Sequence, residues 1–158
     1  MGTAATPEPG AARTPGTAAS VAPRDRNIAA ACALLLLISM PVGYLTDDPG
    51  TGDVIGLIVM VAVSLALMAW LILRFVPAQR AAAAPRASRT ALVLGVVAVI
   101  LGVVFWTGLP FAVGAAAIAL GLSLRETSDA AGGSGKATAG AALGAFAVLA
   151  SFVLLLVG

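Results

Sequence analysis

TALVLGVVAVILGVVFWT at Thr90–Thr107, LPFAVGAAAIALGLSL at Leu109–Leu124 and ATAGAALGAFAVLASFVLLLV at Ala137–Val157 follow one another with only Gly108 and a short polar stretch between them. None of the three contains a charged side chain. Segments of this length and composition read as helices crossing a bilayer, because a helix satisfies its own backbone polar groups where lipid cannot. Two further apolar runs precede them, Ile28–Leu45 and Val54–Val76. The chain of 158 residues is 60% hydrophobic and 10% charged, and its apolar residues are gathered in blocks. A soluble domain needs more charge than this to cover its surface. The expected fold is therefore all-α, a multi-pass transmembrane helical bundle with five spans.

Four parts are expected along the chain. Residues 1–27 are rich in Ala, Thr, Pro and Gly, bury too little to offset the cost of ordering, and read as a disordered cytoplasmic tail. Residues 28–76 read as a two-helix hairpin (28–45 and 54–76), 77–89 as a basic cytoplasmic loop, and 90–158 as a glycine-rich three-helix unit (90–107, 109–124 and 137–157). The first run reads as an uncleaved span, since no small-x-small site follows it before Asp47. The fourth is short: its 16 residues reach about 24 Å at the standard rise, against a hydrocarbon core of roughly 30 Å.

Charge placement favours five crossings. With the N-terminus cytoplasmic and the C-terminus outside, Arg13, Arg24, Arg26, Arg74, Arg80, Arg86, Arg89, Arg125 and Lys136 all fall inside, which is every one of the 9 basic residues. Asp47, Asp48 and Asp53 fall outside. This is the bias that orients membrane proteins; a re-entrant fourth segment would place Arg125 and Lys136 on the wrong side. Arginine greatly outnumbers lysine and Ala and Gly abound, the composition of a high-GC bacterium, so the expected location is a bacterial plasma membrane.

The chemistry-bearing inventory is thin. One cysteine, Cys32, excludes an intrachain disulfide. With no histidine the usual transition-metal sites lack ligands, and no cofactor is expected. Asp47, Asp48 and Asp53 read as an acidic turn. Gly132-Gly133-Ser134-Gly135-Lys136-Ala137-Thr138 departs from a phosphate-binding loop at residue 130, which is Ala, and after the lysine, where Ala137 stands in place of a hydroxyl. No ionisable residue lies mid-span, so an enzyme is not expected.

Small residues carry more information. Gly95, Ala98, Leu101 and Gly102 match Gly114, Ala117, Leu120 and Gly121 nineteen residues later, and Gly140 and Gly144 form a Gly-x-x-x-Gly pair. Such stripes let helices in lipid approach closely. They serve packing within the chain, or, on the Gly140/Gly144 face, docking of a partner or a second copy. Arg74, Arg80, Arg86 and Arg89 are candidates to hold anionic lipid at the cytoplasmic face; they require no nucleic acid.

Ala91-Leu92-Val93-Leu94-Gly95, Leu109-Pro110-Phe111-Ala112-Val113-Gly114, and Gly135-Lys136-Ala137 leading to Gly140 and Leu143-Gly144 resemble the small glycine-rich integral membrane proteins of unknown function common in actinobacteria. The resemblance covers residues 90–158. It implies a membrane location and brings no activity or catalytic residue. The expected role is non-catalytic, an accessory, assembly or membrane-organising subunit. The rival expectation is a small transporter or channel acting as an oligomer, which a water-filled cavity lined by Ser64, Ser123 and Ser151 would favour.

Overall fold

The computed structural model describes residues 21–44, 50–128 and 134–157. Every regular element among them is helical. Helix α1 is Pro23–Tyr44. Helix α2 is α-helical over Thr51–Trp70, passes through a π-helical turn at Leu71–Phe75 and ends in Val76–Arg80. Helix α3 is Ala84–Leu101, continued as a 3₁₀ segment over Gly102–Thr107. Helix α4 is Leu109–Ser128 and α5 is Ser134–Val157. All five are long and apolar enough to cross a membrane. The tail at 1–20, Asp47 and Asp48 of the acidic turn, and Gly132 and Gly133 of the glycine-rich stretch lie outside the described residues.

Several boundaries differ from the sequence expectation, for physical reasons. The first helix starts at Pro23 and not after residue 27; proline suits the first helical position, and Asp25 favours the positive end of the helix dipole. The segment 77–89 is largely helical. Only residues 81–83 join α2 to α3, and Thr90 Oγ1 donates to Gln79 Oε1 at 3.3 Å across this turn. The short fourth segment extends to Ser128 as a 20-residue helix, about 30 Å long at the standard rise.

Helix α4 is the axis of the bundle. Phe111–Ala117 are all buried, as are Ala119 and Leu120. This explains its modest apolarity: a helix wrapped by other helices meets their backbones, which calls for Ala and Gly, whereas helices facing lipid display large aliphatics. Ile58, Val63, Val93, Val103, Phe146 and Leu149 are such outward-facing residues. Helices α3, α4 and α5 share the most extensive contacts. Helix α1 packs against α4 and α5 as well as α2, so the first two helices are part of the bundle and not a separate hairpin in front of it.

Five of the six glycines singled out above sit in these interfaces. A Cβ on Gly95 would lie 2.6 Å from the Gly140 carbonyl oxygen, and one on Gly121 2.5 Å from that of Ala137. Gly114 and Gly144 face each other, each within 2.9 Å of the other's carbonyl oxygen by the same construction. Gly102 is the exception, with open space where its side chain would be. The Gly140/Gly144 face is thus taken up by contacts inside the chain and is not free to dock a partner.

The turn from α3 to α4 is fixed by Gly108, the one described residue with a left-handed backbone, at φ 71°. An L side chain disfavours that conformation. Here it would also meet Leu36 Cδ1 at 2.7 Å, Met40 Cε at 2.9 Å and Ser64 Oγ at 2.9 Å. Ser64 Oγ donates to the Thr107 carbonyl at 2.8 Å, fastening α2 to this turn. Pro110 then enters α4 near its start, where its missing N–H costs no helical bond.

Candidate functional site: a polar cluster at one end of the bundle

Up-and-down connectivity brings the start of α1, the end of α2, the start of α3, the end of α4 and the start of α5 to one end of the bundle. The described basic residues other than Arg74 lie at or beside these five helix ends. Asp53 lies at the opposite end, where its carboxylate accepts from the Gly50 N–H at 3.1 Å and caps α2.

At the basic end, Asp25 is fully buried. Arg80 Nη2 donates to its Oδ1 at 2.7 Å, and Nη1 lies 2.7 Å from Oδ2. Arg80 Nε donates to Ser123 Oγ at 2.9 Å, and Nη2 also reaches the Ala119 carbonyl at 3.3 Å. Ser123 in turn donates to the Leu120 carbonyl at 2.8 Å. One guanidinium therefore ties α2 to both α1 and α4. Next to it Arg24 Nη1 donates to Glu126 Oε1, a second ion pair between α1 and α4. Ala22, Pro23, Arg24, Arg80, Ser123, Leu124 and Glu126 line a cleft of about 440 Å³ between these groups.

What aims Arg80 inward is a defect in its own helix. Pro77 has no N–H to offer the carbonyl four residues earlier, and its ring crowds that carbonyl. The helix widens instead, so that the Val76 N–H bonds to the Leu71 carbonyl, five residues back. Met68, Ile72 and Val76 are buried and Arg80 follows, each four residues on. In an unbroken α-helix at about 100° per residue, the step from Met68 to Arg80 would overshoot its starting direction by about 120°. One extra residue in the π-turn takes back most of that drift and points the guanidinium at Asp25.

Arg80 is thus not available to hold anionic lipid, contrary to the sequence expectation. Arg74, Arg86 and Arg89 are exposed. The three serines that a transport pathway was expected to share stand apart. Ser64 is at the α3–α4 turn, Ser123 is under Arg80, and Ser151 lines a separate apolar groove of about 210 Å³ with Gly102, Val103 and Phe146. Asp25 belongs to no motif in the sequence; the signals that point to its pairing are Pro77 three residues before Arg80 and Ser123 near the end of a small-residue helix. Among the described residues no group of His, Cys, Asp and Glu is placed to hold a metal ion.

Compared with protein families, with curated proteins and with solved structures, the chain matches none.

Proposed function

We propose that this five-helix membrane protein is a non-catalytic accessory or assembly subunit of a bacterial plasma membrane, one that organises other membrane proteins by packing beside them. The observation that carries the reading is the helix at the centre of the bundle: α4, buried from Phe111 to Ala117, occupies the axis where a single-chain channel would need its passage. The polar cluster supports the same role, because Asp25, Arg80 and Ser123 are engaged in holding helices together. The outer faces of α2 and α3, with Ile58, Val63, Val93 and Val103 exposed, offer broad apolar surface to lipid or to a neighbouring span.

The test is purification of the tagged protein from its native membrane in a mild detergent, with the mass of the intact complex measured. A stoichiometric partner of different sequence is the expected result. A ring of identical copies, with a passage between subunits in place of the blocked axis, would replace this proposal with the transporter reading.

The same reading has the basic end in the cytoplasm and the chain running N-in to C-out, on the ground that basic residues flanking spans stay inside. Gly52, at the acidic end, and Gly135, at the basic end, are exposed with open space for a side chain, while Cys32 is buried. A membrane-impermeant maleimide is expected to label Gly52→Cys on intact cells and Gly135→Cys only after permeabilisation. The opposite pattern would invert the topology.

A further inference from the structure

We propose that the cleft between Arg24, Arg80 and Glu126 binds the headgroup of a zwitterionic phospholipid carrying a primary ammonium, with the phosphate on Arg24 and the ammonium on Glu126. This goes beyond the accessory role and does not depend on it. The position of the cleft comes first. The membrane-length stretches Pro23–Val42, Thr51–Arg80 and Leu109–Glu126 each begin or end at it, so it stands at the depth where apolar helix gives way to polar ends. Ala22, Pro23 and Leu124 give it an apolar side. Its volume of about 440 Å³ is roughly three times that of an engineered cavity known to hold benzene, about 150 Å³, and is ample for a headgroup.

The free hydrogen-bonding groups define the ligand. Arg80 is engaged on every nitrogen by Asp25, Ser123 and the Ala119 carbonyl. Arg24 uses only Nη1, on Glu126 Oε1. Its Nε is buried without a partner, out of reach of a molecule in the cleft, which leaves Nη2 as the donor open to a ligand. A guanidinium N–H given to a phosphate oxygen makes a charge-assisted hydrogen bond, stronger than a neutral one. Glu126 keeps Oε2 beyond its bond to Arg24, and its side chain is 67% exposed. One cationic donor beside one carboxylate suits a phosphate linked to an ammonium. A headgroup with net negative charge would face Glu126 without compensation, and a quaternary ammonium has no N–H to give it.

The experiment uses the full chain in nanodiscs of phosphatidylcholine doped with phosphatidylethanolamine or phosphatidylglycerol of the same acyl chains, with retained lipid read by native mass spectrometry. The wild type is expected to retain one ethanolamine lipid over the choline and glycerol lipids by about tenfold, the discrimination that one charge-assisted hydrogen bond corresponds to. Glu126→Gln should erase the preference for ethanolamine over choline. Arg24→Gln should lose retention, and Arg24→Lys, which keeps the charge and a donor, should keep part of it. Arg86→Gln, an exposed arginine outside the cleft, should change nothing. Better retention of the glycerol lipid, equal loss in Arg86→Gln, or an unchanged preference in Glu126→Gln would overturn the proposal. Displacement of the lipid by millimolar soluble glycerophosphoethanolamine would overturn the membrane source of the ligand. Should Arg24 variants fail to fold, Glu126→Gln still decides.

Discussion

An Arg80→Leu variant is expected to lose about 3 kcal/mol of stability, the lower end of the range for removing one partner of a buried ion pair. The loss arises from what stays behind. Asp25 keeps 1% of its side chain exposed, and without Arg80 its carboxylate has no cation facing it. Ser123 Oγ and the Ala119 carbonyl each lose the hydrogen bond from Arg80 in the same step. The lower end is appropriate because Arg80 is 25% exposed at the end of the bundle, where water relieves part of the penalty. The double variant Asp25→Leu/Arg80→Leu is expected to recover most of the loss, since two apolar side chains in place of a buried pair are often neutral or better. Chemical or thermal unfolding of the four proteins in one detergent gives the coupling directly. If the double variant is as unstable as the two single losses summed, the charges act independently and the clasp is not an ion pair in energetic terms.

The second large effect is expected at Gly140. A Cβ there would lie 2.4 Å from the Ala91 carbonyl oxygen, 2.5 Å from its carbon and 2.7 Å from the Leu92 nitrogen. All three atoms are backbone and cannot swing aside as the tip of a flexible side chain would. Gly140→Ala should therefore cost about 1–3 kcal/mol through overpacking. Gly140→Leu should cost more and separate α3 from α5, with increased proteolysis of the three-helix unit and a lower unfolding midpoint. Gly102→Ala is the matched control, because nothing stands within 4 Å of its added carbon; its midpoint should be unchanged or slightly raised. Equal effects at the two positions would show that backbone approach at Gly140 does not hold the unit together.

Both expectations rest on features that the sequence displays unequally. Gly140 and Gly144 announce themselves by spacing, and their role follows from the physics of helices in lipid: with no hydrophobic force to drive helix on helix, association depends on close van der Waals contact that small residues permit. Spacing alone left open which helix they meet. It also grouped Gly102 with Gly95, although the backbone turns into a 3₁₀ segment at that residue and carries it off the shared face. The arginines show the opposite imbalance. Their number and flanking positions point to one end of the bundle, but Arg74, Arg80, Arg86 and Arg89 look alike as a string, and only Arg80 turns inward.

By itself the sequence determined that this is an all-helical protein with five segments of membrane-crossing length, because span length and backbone satisfaction in lipid are properties of contiguous residues. It likewise determined that the basic residues gather at alternate connections. Only the tertiary structure decided that α4 is the enclosed axis, that α1 joins the bundle, and that Asp25 and Arg80 meet. Those outcomes hang on a rotation of about 100° introduced by the π-turn at Leu71–Phe75 and on backbone approaches of a few ångströms between helices far apart in the chain. A linear pattern records which side chains are small or charged; which of them face each other depends on the accumulated twist and on the partners that pack against them.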